Sequence, residues 1–176
     1  TETVYGLAAD ASNAAAVAQI YRTKGRPDFN PLIVHVPDHA AAERLAQFDD
    51  RASMLAFRFW PGPLTLVLPL QPDAPVAKAV TAGLPTIALR CPAHPVMQAV
   101  LRQSGLFLAA PSANLSGGIS PTRAEHVARS FGEAMPLVLD AGPCAAGLES
   151  TIVAVRDNGW QLLRPGPVTA DEIAQL

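Results

Sequence analysis

Apolar residues recur along the chain with two alternating spacings, one typical of helices and one typical of strands. Residues 13–24 form an alanine-rich stretch in which Val17, Ile20 and Tyr21 have helical spacing, whereas residues 32–36 form a short apolar run typical of a buried strand. Further helices are predicted over residues 39–48, 51–60, 94–103 and 122–131, with a last one after Thr169. Further strands are predicted over residues 64–70, 86–90, 106–110, 137–140, 151–155 and 160–163.

Polar residues at the ends of these segments support the assignment. Ser12 or Asn13 can cap the first helix, and Glu follows Thr at capping-box spacing in residues 122–125 and 169–172. Residues 157–159, Asp-Asn-Gly, are typical of a β-hairpin turn. The alternation of helices and strands predicts an α/β fold with flanking helices, and the hairpin favours a mixed sheet over a purely parallel one.

Composition narrows the function classes. The 176 residues are 49% hydrophobic and 16% charged, which is typical of a folded domain and excludes disorder. A formal net charge of -2 excludes a polybasic nucleic-acid binder. Cys91 and Cys144 make neither a disulfide framework nor a zinc site, so no protein-bound metal is predicted and a reducing cytoplasm is expected. No apolar run reaches the roughly 18–20 residues that a membrane span needs.

Common catalytic motifs are missing from the sequence. It contains neither the G-x-x-x-x-G-K-[ST] nor the G-x-G-x-x-G phosphate-binding pattern. It also lacks the G-x-S-x-G and H-E-x-x-H signatures of hydrolases. A nucleotide site in this chain would therefore have to be built in another way.

Lys24-Gly25-Arg26-Pro27 joins the first predicted helix to the first predicted strand. Two cations separated by a glycine suit a polyphosphate, because Lys acts as a point charge, Arg as a planar fork, and Gly lets the backbone approach closely. The alternative is a solvated helix C-terminus, where cations are favoured in any case. Both interpretations remain open from the sequence.

Two arginines follow apolar strands. Arg90 ends the run 86–90, and Arg164 follows the run 160–163. Ligands of α/β sheets commonly lie at strand ends, where Arg can hold a carboxylate through two parallel hydrogen bonds. The alternative for Arg90 is a structural ion pair with an Asp or Glu.

The stretch 110–121 is rich in small hydroxyl residues and glycines between a strand and a helix. Such loops offer backbone N–H groups and hydroxyls to phosphates, although an ordinary polar turn would have the same composition. His35 lies inside an apolar run, where a satisfied core histidine is the alternative to a functional one. Residues 149–151 could present hydroxyls to a ligand at the start of a strand.

Eight stretches in this order resemble the YrdC-like L-threonylcarbamoyladenylate synthase family. They are 1–7 (TETVYGL), 24–27 (KGRP), 30–32 (NPL), 60–65 (WPGPLT), 90–92 (RCP), 111–117 (PSANLSG), 149–151 (EST) and 163–166 (LRPG). Each motif is weak alone, but the ordered set is specific and spans nearly the whole chain. The resemblance implies a twisted mixed sheet with a concave cationic site.

The resemblance also implies a reaction, in which a nucleotidyltransferase forms threonylcarbamoyl-adenylate and pyrophosphate from L-threonine, bicarbonate and ATP with Mg²⁺. A partner transferase would pass the threonylcarbamoyl group to an adenosine beside the anticodon of tRNA. The chain itself could also contact RNA. Lys24 and Arg26 would be catalytic. The implied ATP-binding residues are Lys24, Arg26, Asn30, Thr86, Ser112, Asn114, Ser120 and Arg164. The implied threonine-binding residues are Thr3, His35, Arg90, Ala110 and Ser150.

The chain also departs from the family pattern. It is expected to be one YrdC-like domain over residues 1–176 without the family's N-terminal strand and helix, and some relatives carry a further C-terminal domain. Two other functions are compatible with the residues. One is the YrdC-like domain of a carbamoyltransferase that adenylates a carbamate, and the other is a non-enzymatic RNA-binding module.

Overall fold

A computed structural model of the chain describes residues 1–132, 135 and 137–176. Within these residues the strands form one sheet of seven, in the order β1-β5-β2-β4-β3-β6-β7. The strands are β1 (Ala9–Asp10), β2 (Ile33–His35), β3 (Leu64–Pro69), β4 (Thr86–Arg90), β5 (Leu108–Ala109), β6 (Thr151–Arg156) and β7 (Gly159–Arg164). The helices are α1 (Ala14–Lys24), α2 (His39–Glu43), α3 (Asp50–Phe59), α4 (Pro95–Ser104), α5 (Ala124–Phe131) and α6 (Ala170–Ala174), with a 3-10 turn over Lys78–Val80.

The sheet is mixed, as predicted. Strand β4 runs parallel to β2 and antiparallel to β3, and β3 runs parallel to β6. Strands β6 and β7 form the predicted antiparallel hairpin, in which Arg156 pairs with Gly159. Backbone pairing therefore places the ends of β2 and β4, with His35 opposite Arg90, at one edge of the sheet.

The ends of α1 follow directly from its sequence. The Asn13 side chain accepts hydrogen bonds from the N–H groups of Ala15 and Ala16, which satisfies free donors of the first turn. Gly25 ends the helix with φ of 58°, a left-handed conformation that glycine adopts without a Cβ clash. These two caps fix where Lys24 lies.

Alternate residues of the strands face opposite sides of the sheet. Val34, Ile87 and Leu89 point into the hydrophobic core, which also contains Leu55 of α3. Residues next to them in sequence, such as His35 and Arg90, point to the other side. The core therefore occupies one face of the sheet, and the opposite face is available for a site.

Several predicted elements differ from the structure. The helix predicted over 39–48 ends at Glu43, because Ala46 forms a β-bridge with Leu70. The strand predicted over 106–110 is reduced to β5, and no strand forms over residues 137–140, all of which are described. The second capping box forms at Thr169. The first does not, because α5 is preceded by Arg123 without a side-chain cap.

No helix formed by the described residues is both long enough and apolar enough to cross a bilayer.

Candidate active site

A cavity of about 970 Å³ lies over the face of the sheet opposite the hydrophobic core. It gathers most of the residues that the sequence singled out. The predicted residues that line it are Thr3, Arg26, Asn30, His35, Arg90, Ala110, Ser112, Ser150 and Arg164. Residues far apart in sequence thus share one concave surface large enough for a nucleotide and an amino acid.

Arg90 forms one end of this site. The residue is only 3% exposed. Nη1 donates to Oγ1 of Thr3 at 2.7 Å, Nη2 donates to Oε1 of Glu2 at 2.6 Å, and Nε donates to the carbonyl oxygen of Gly62 at 3.1 Å. Arg90 therefore has the ion-pair partner that the sequence left open, and it still lines the cavity.

Glu2, the ion-pair partner of Arg90, also accepts a hydrogen bond from the N–H group of Ala93 through the same oxygen, Oε1. Burial by itself would raise the pKa of Glu2, but Arg90 and the N–H group of Ala93 together outweigh burial and lower this pKa. The carboxylate is therefore charged at neutral pH. Sequence reasoning did not identify Glu2, although its position directly before Thr3 was a usable signal.

His35 is buried next to Arg90. Its Nδ1 atom is enclosed and makes no hydrogen bond within the described part of the chain. Burial, with a smaller contribution from Arg90, lowers the pKa of His35 to about 3. The imidazole is therefore neutral near pH 7 and can donate or accept one hydrogen bond in the cavity.

His35 is expected to make the protein less stable at low pH. An unfolded chain binds a proton on His35 near pH 6.5, whereas the folded protein does so only near pH 3. His35 therefore does not lower the free energy of unfolding above pH 6.5. As the pH drops from 6.5 toward 3, this free energy falls by up to about 1.4 kcal/mol per pH unit. Urea unfolding between pH 3 and 7 should show a shallower pH dependence in His35→Asn than in the wild type. An unchanged slope would contradict the assignment.

Lys24 lies behind the loop that follows β5. It is 2% exposed, and its Nζ atom donates to the carbonyl oxygens of Ser112 and Asn114, each at 2.5 Å. The interpretation of Lys24 as a solvated helix end is therefore wrong. Burial, and after it the nearby charge of Arg26, lowers the pKa of Lys24 to about 8. Lys24 ties the end of α1 to the loop, and it does not line the cavity itself.

Arg26 faces the cavity from the turn after α1. Its Nε atom donates to the carbonyl oxygen of Asn30 at 3.2 Å, and Nη2 donates to that of Pro31 at 2.9 Å. The hydroxyl of Tyr21 also donates to the Asn30 carbonyl, at 3.1 Å. These contacts shape the 26–31 turn around a half-buried guanidinium group.

Arg164 and Glu149 form the third charged group of the site. Nη1 of Arg164 donates to Oε2 of Glu149, while Nε and Nη2 donate to the carbonyl and hydroxyl oxygens of Ser150, each at 3.0 Å. Oε1 of Glu149 accepts a hydrogen bond from the hydroxyl of Ser120 at 2.7 Å. Ser120 thus reaches the site through Glu149, a residue that sequence reasoning missed although it directly precedes Ser150.

Two further predicted residues lie beside the cavity without lining it. Thr86 is on the same face of β4 as Arg90, but it lies at the other end of the strand. Asn114 is buried, and its side-chain amide donates to the carbonyl oxygens of Leu115 and Gly118 at 2.8 and 2.7 Å. In this structure Asn114 therefore holds the shape of the loop.

The charges of the cavity are uneven. Among its described lining residues, the guanidinium groups belong to Arg26, Arg90 and Arg164, and the only carboxylate is Glu149. Over residues 1–132, 135 and 137–176, no three His, Cys, Asp or Glu side chains come close enough together to hold a metal ion. The arrangement can bind two anionic groups, one near Arg90 and another near Arg26 and Arg164.

Comparison with known proteins gives consistent results. The family model Sua5_yciO_yrdC, described as "Telomere recombination", matches residues 1–166. A threonylcarbamoyl-AMP synthase from Bacillus subtilis is 52% identical over 174 residues, which is 98% of this chain and 50% of that protein. A threonylcarbamoyl-AMP synthase from Pyrococcus abyssi is 45% identical over 177 residues, which is 100% of this chain and 52% of that protein.

A solved structure shows the same fold. The crystal structure of P. abyssi Sua5 complexed with L-threonine superposes with a TM-score of 0.95 at 45% sequence identity, over 99% of this chain and 51% of that one. The present chain spans about half the length of the curated relatives it matches.

Proposed function

We propose that this chain, which belongs to the Sua5–YciO–YrdC family, forms threonylcarbamoyl-adenylate and pyrophosphate from L-threonine, bicarbonate and ATP. The observation that carries the proposal is the single cavity in which Arg90, Arg26 and Arg164 can hold a carboxylate and a polyphosphate side by side. The names of relatives up to 52% identical support the same reaction.

The threonine end of the site is assigned to Arg90 and its neighbours. The guanidinium group would bind the threonine carboxylate, while Thr3, Ser150 and the neutral His35 offer hydrogen-bonding groups to the remaining polar atoms. The Ala110 carbonyl oxygen can accept a hydrogen bond from the amino group. A crystal structure of P. abyssi Sua5 with L-threonine supports this use of the fold.

The nucleotide end is assigned to Arg26, Asn30, Ser112 and Arg164, with Thr86, Asn114, Ser120 and Lys24 beside them. The amine of threonine and bicarbonate give a carbamate and water. A carbamate oxygen then bonds to the α-phosphorus of ATP, and the bond to pyrophosphate breaks. Cations placed around the phosphates stabilise the negative charge that develops, so the protein needs to supply little covalent chemistry.

Lys24 and Arg26 are proposed as the catalytic cations. Lys24 binds the carbonyl oxygens of Ser112 and Asn114 from behind the loop, so its charge would act on the phosphates across that loop, while Arg26 lines the cavity itself. Mg²⁺ is proposed to enter as part of the ATP substrate, held mainly by the phosphates. This fits a site in which Glu149 is the one carboxylate among the described lining residues.

The cellular setting is proposed in the same way. The adenylate would pass to a tRNA-modifying transferase that acts on an adenosine beside the anticodon, and the chain would work in the cytoplasm. A direct RNA contact has less support, because the arginines of the site face into a cavity. A carbamoyltransferase domain is disfavoured by the synthase names of the relatives that are 45–52% identical.

One experiment tests the reaction and its substrate together. The protein is incubated with Mg²⁺, ATP, bicarbonate and one amino acid at a time, and mass spectrometry follows the adenylate while pyrophosphate release is measured. Threonine is expected to give threonylcarbamoyl-adenylate, and omission of bicarbonate is expected to abolish it. In a separate incubation, carbamoyl phosphate replaces bicarbonate and threonine is omitted. Adenylate formation there would support the carbamoyltransferase function instead. If neither product formed, the proposed activity of this chain would be wrong.

A further inference from the structure

Each substrate end of the cavity contains an arginine that is bonded to a carboxylate from another segment. Arg164 of β7 is bonded to Glu149, which precedes β6, and Arg90 of β4 is bonded to Glu2 near the chain's start. Neither carboxylate belongs to the residues assigned to substrates above. Their shared arrangement calls for a functional explanation.

The hydrogen bonds of the two arginines are used in the same way. A guanidinium group has five N–H donors. Arg164 uses Nε, Nη1 and Nη2 for Ser150 and Glu149, and Arg90 uses the same three atoms for Gly62, Thr3 and Glu2. Within the described residues, each arginine therefore keeps two N–H donors for a ligand while its plane is fixed on several sides.

Glu149 holds a second residue in addition to Arg164. Its two oxygens bond to different elements, Oε2 to Arg164 of β7 and Oε1 to Ser120 in the loop that also contains Ser112. A single carboxylate thus joins two parts of the nucleotide end. Glu2 does the same at the threonine end, where Oε1 accepts from both Arg90 and the N–H group of Ala93.

We infer that Glu149 and Glu2 are positioning residues and that each serves one of the two substrates. Glu149 orients Arg164 and Ser120 for ATP, and Glu2 orients Arg90 for threonine. Fixing a long, flexible arginine before binding reduces the conformational entropy that the ligand would otherwise have to offset. This inference rests on the proposed function, because the latter assigns the two ends to their substrates.

A different role for the carboxylates makes the opposite prediction. If Glu149 or Glu2 acted only as a counter-charge, its removal would leave the arginine more attractive to an anion, and substrate binding would become tighter. If either were needed only for folding, its removal would weaken both substrates together and lower the melting temperature. Positioning predicts weaker binding of one substrate only.

The experiment measures binding of each substrate alone by calorimetry, with α,β-methylene-ATP plus Mg²⁺ as one probe and L-threonine as the other. Glu149→Ala is expected to weaken nucleotide binding by roughly tenfold or more and to leave threonine binding within about twofold. Glu2→Ala is expected to do the reverse. Glu149→Gln and Glu2→Gln keep hydrogen-bonding atoms at the same places, so each should restore most of the lost affinity.

Controls separate the possible outcomes. Glu125→Gln removes an exposed carboxylate of α5 and should change neither affinity. If Glu2→Ala does not fold, Glu2→Asp replaces it, because it keeps the charge but is too short to reach Arg90 in the same geometry. Tighter binding, or equal weakening of both probes, would overturn the inference. Wild-type protein that binds both probes but forms no adenylate would overturn the proposed function alone.

Discussion

Replacing Lys24 by alanine is expected to abolish adenylate formation and to lower the free energy of unfolding by about 2–4 kcal/mol. The loss of stability follows from the structure, since Nζ satisfies the carbonyl oxygens of Ser112 and Asn114 in a buried setting. The loss of rate follows from removing a cation behind the loop that presents Ser112 and from releasing that loop, on the order of several kcal/mol in the barrier. Urea unfolding and pyrophosphate release on the same variant measure both effects.

Arg26→Ala is the matched comparison. Arg26 is half-buried, and among the described residues its side chain bonds only to the carbonyl oxygens of Asn30 and Pro31. Its loss should therefore cost about 1 kcal/mol of stability while the rate still falls strongly. Sequence reasoning treated the two cations alike, and the structure separates them by burial. Normal turnover of the Lys24→Ala protein would contradict the assignment of Lys24 to the site. An unchanged free energy of unfolding would contradict its role behind the loop.

Because the pKa of Lys24 is low, turnover and the free energy of unfolding are expected to change in opposite directions as the pH rises. Because burial lowers this pKa to about 8, the ammonium group loses its charge as the pH rises through 8, and turnover should fall with it. The unfolded chain keeps its proton up to about pH 10.5, so the burial penalty on stability is relieved between pH 8 and 10.5. Turnover and unfolding free energy measured from pH 7 to 10 should therefore move in opposite directions.

Replacing Arg90 by alanine is expected to weaken threonine binding by about 2–4 kcal/mol and to destabilise the fold by about 3–5 kcal/mol. The first effect is the loss of a charge-assisted contact to the threonine carboxylate. The second arises because Glu2 would remain largely buried without its partner at 2.6 Å. Calorimetry with threonine and with α,β-methylene-ATP, together with urea unfolding, measures the three quantities.

The pH dependence of this variant provides a control. In the wild type, the lowered pKa of Glu2 contributes stability that is present above its unfolded pKa and is lost as the pH falls. Without Arg90 the pKa of Glu2 should rise, so the destabilisation should be large at pH 7 and smaller in acid. Arg102→Ala, at an exposed arginine of α4, is expected to change neither binding nor stability appreciably. Wild-type threonine affinity in Arg90→Ala would refute the assignment.

Much of the fold was predictable because it depends on neighbours in the sequence. The Asn13 cap, the end of the first helix at Lys24 and the β6–β7 hairpin all form as expected. The prediction was wrong where a tertiary contact competes with local preference. Ala46 leaves the predicted helix to pair with Leu70, and residues 137–140 have an apolar pattern but form no strand.

The candidate site shows the same division. The ordered motifs predicted which residues gather, and Thr3, His35, Arg90, Ser112, Ser150 and Arg164 do line one cavity. The roles of Lys24, Glu2 and Glu149 were not predictable in this way. Lys24 looked exposed because only its own helix was considered, and the carboxylates were overlooked because their partners are other residues of the protein.

Helix period, strand alternation, caps and the separate motifs are each encoded within a few neighbouring residues, so most of the elements, the mixed sheet and the family could be predicted from the sequence alone. Which charges are buried and which are paired became visible only in the folded chain. Arg90 meets Glu2 across 88 residues of sequence, and Lys24 meets the Ser112 carbonyl across another 88. Burial and pairing set the pKa and the geometry of each group, and both depend on contacts that exist only once the chain has folded.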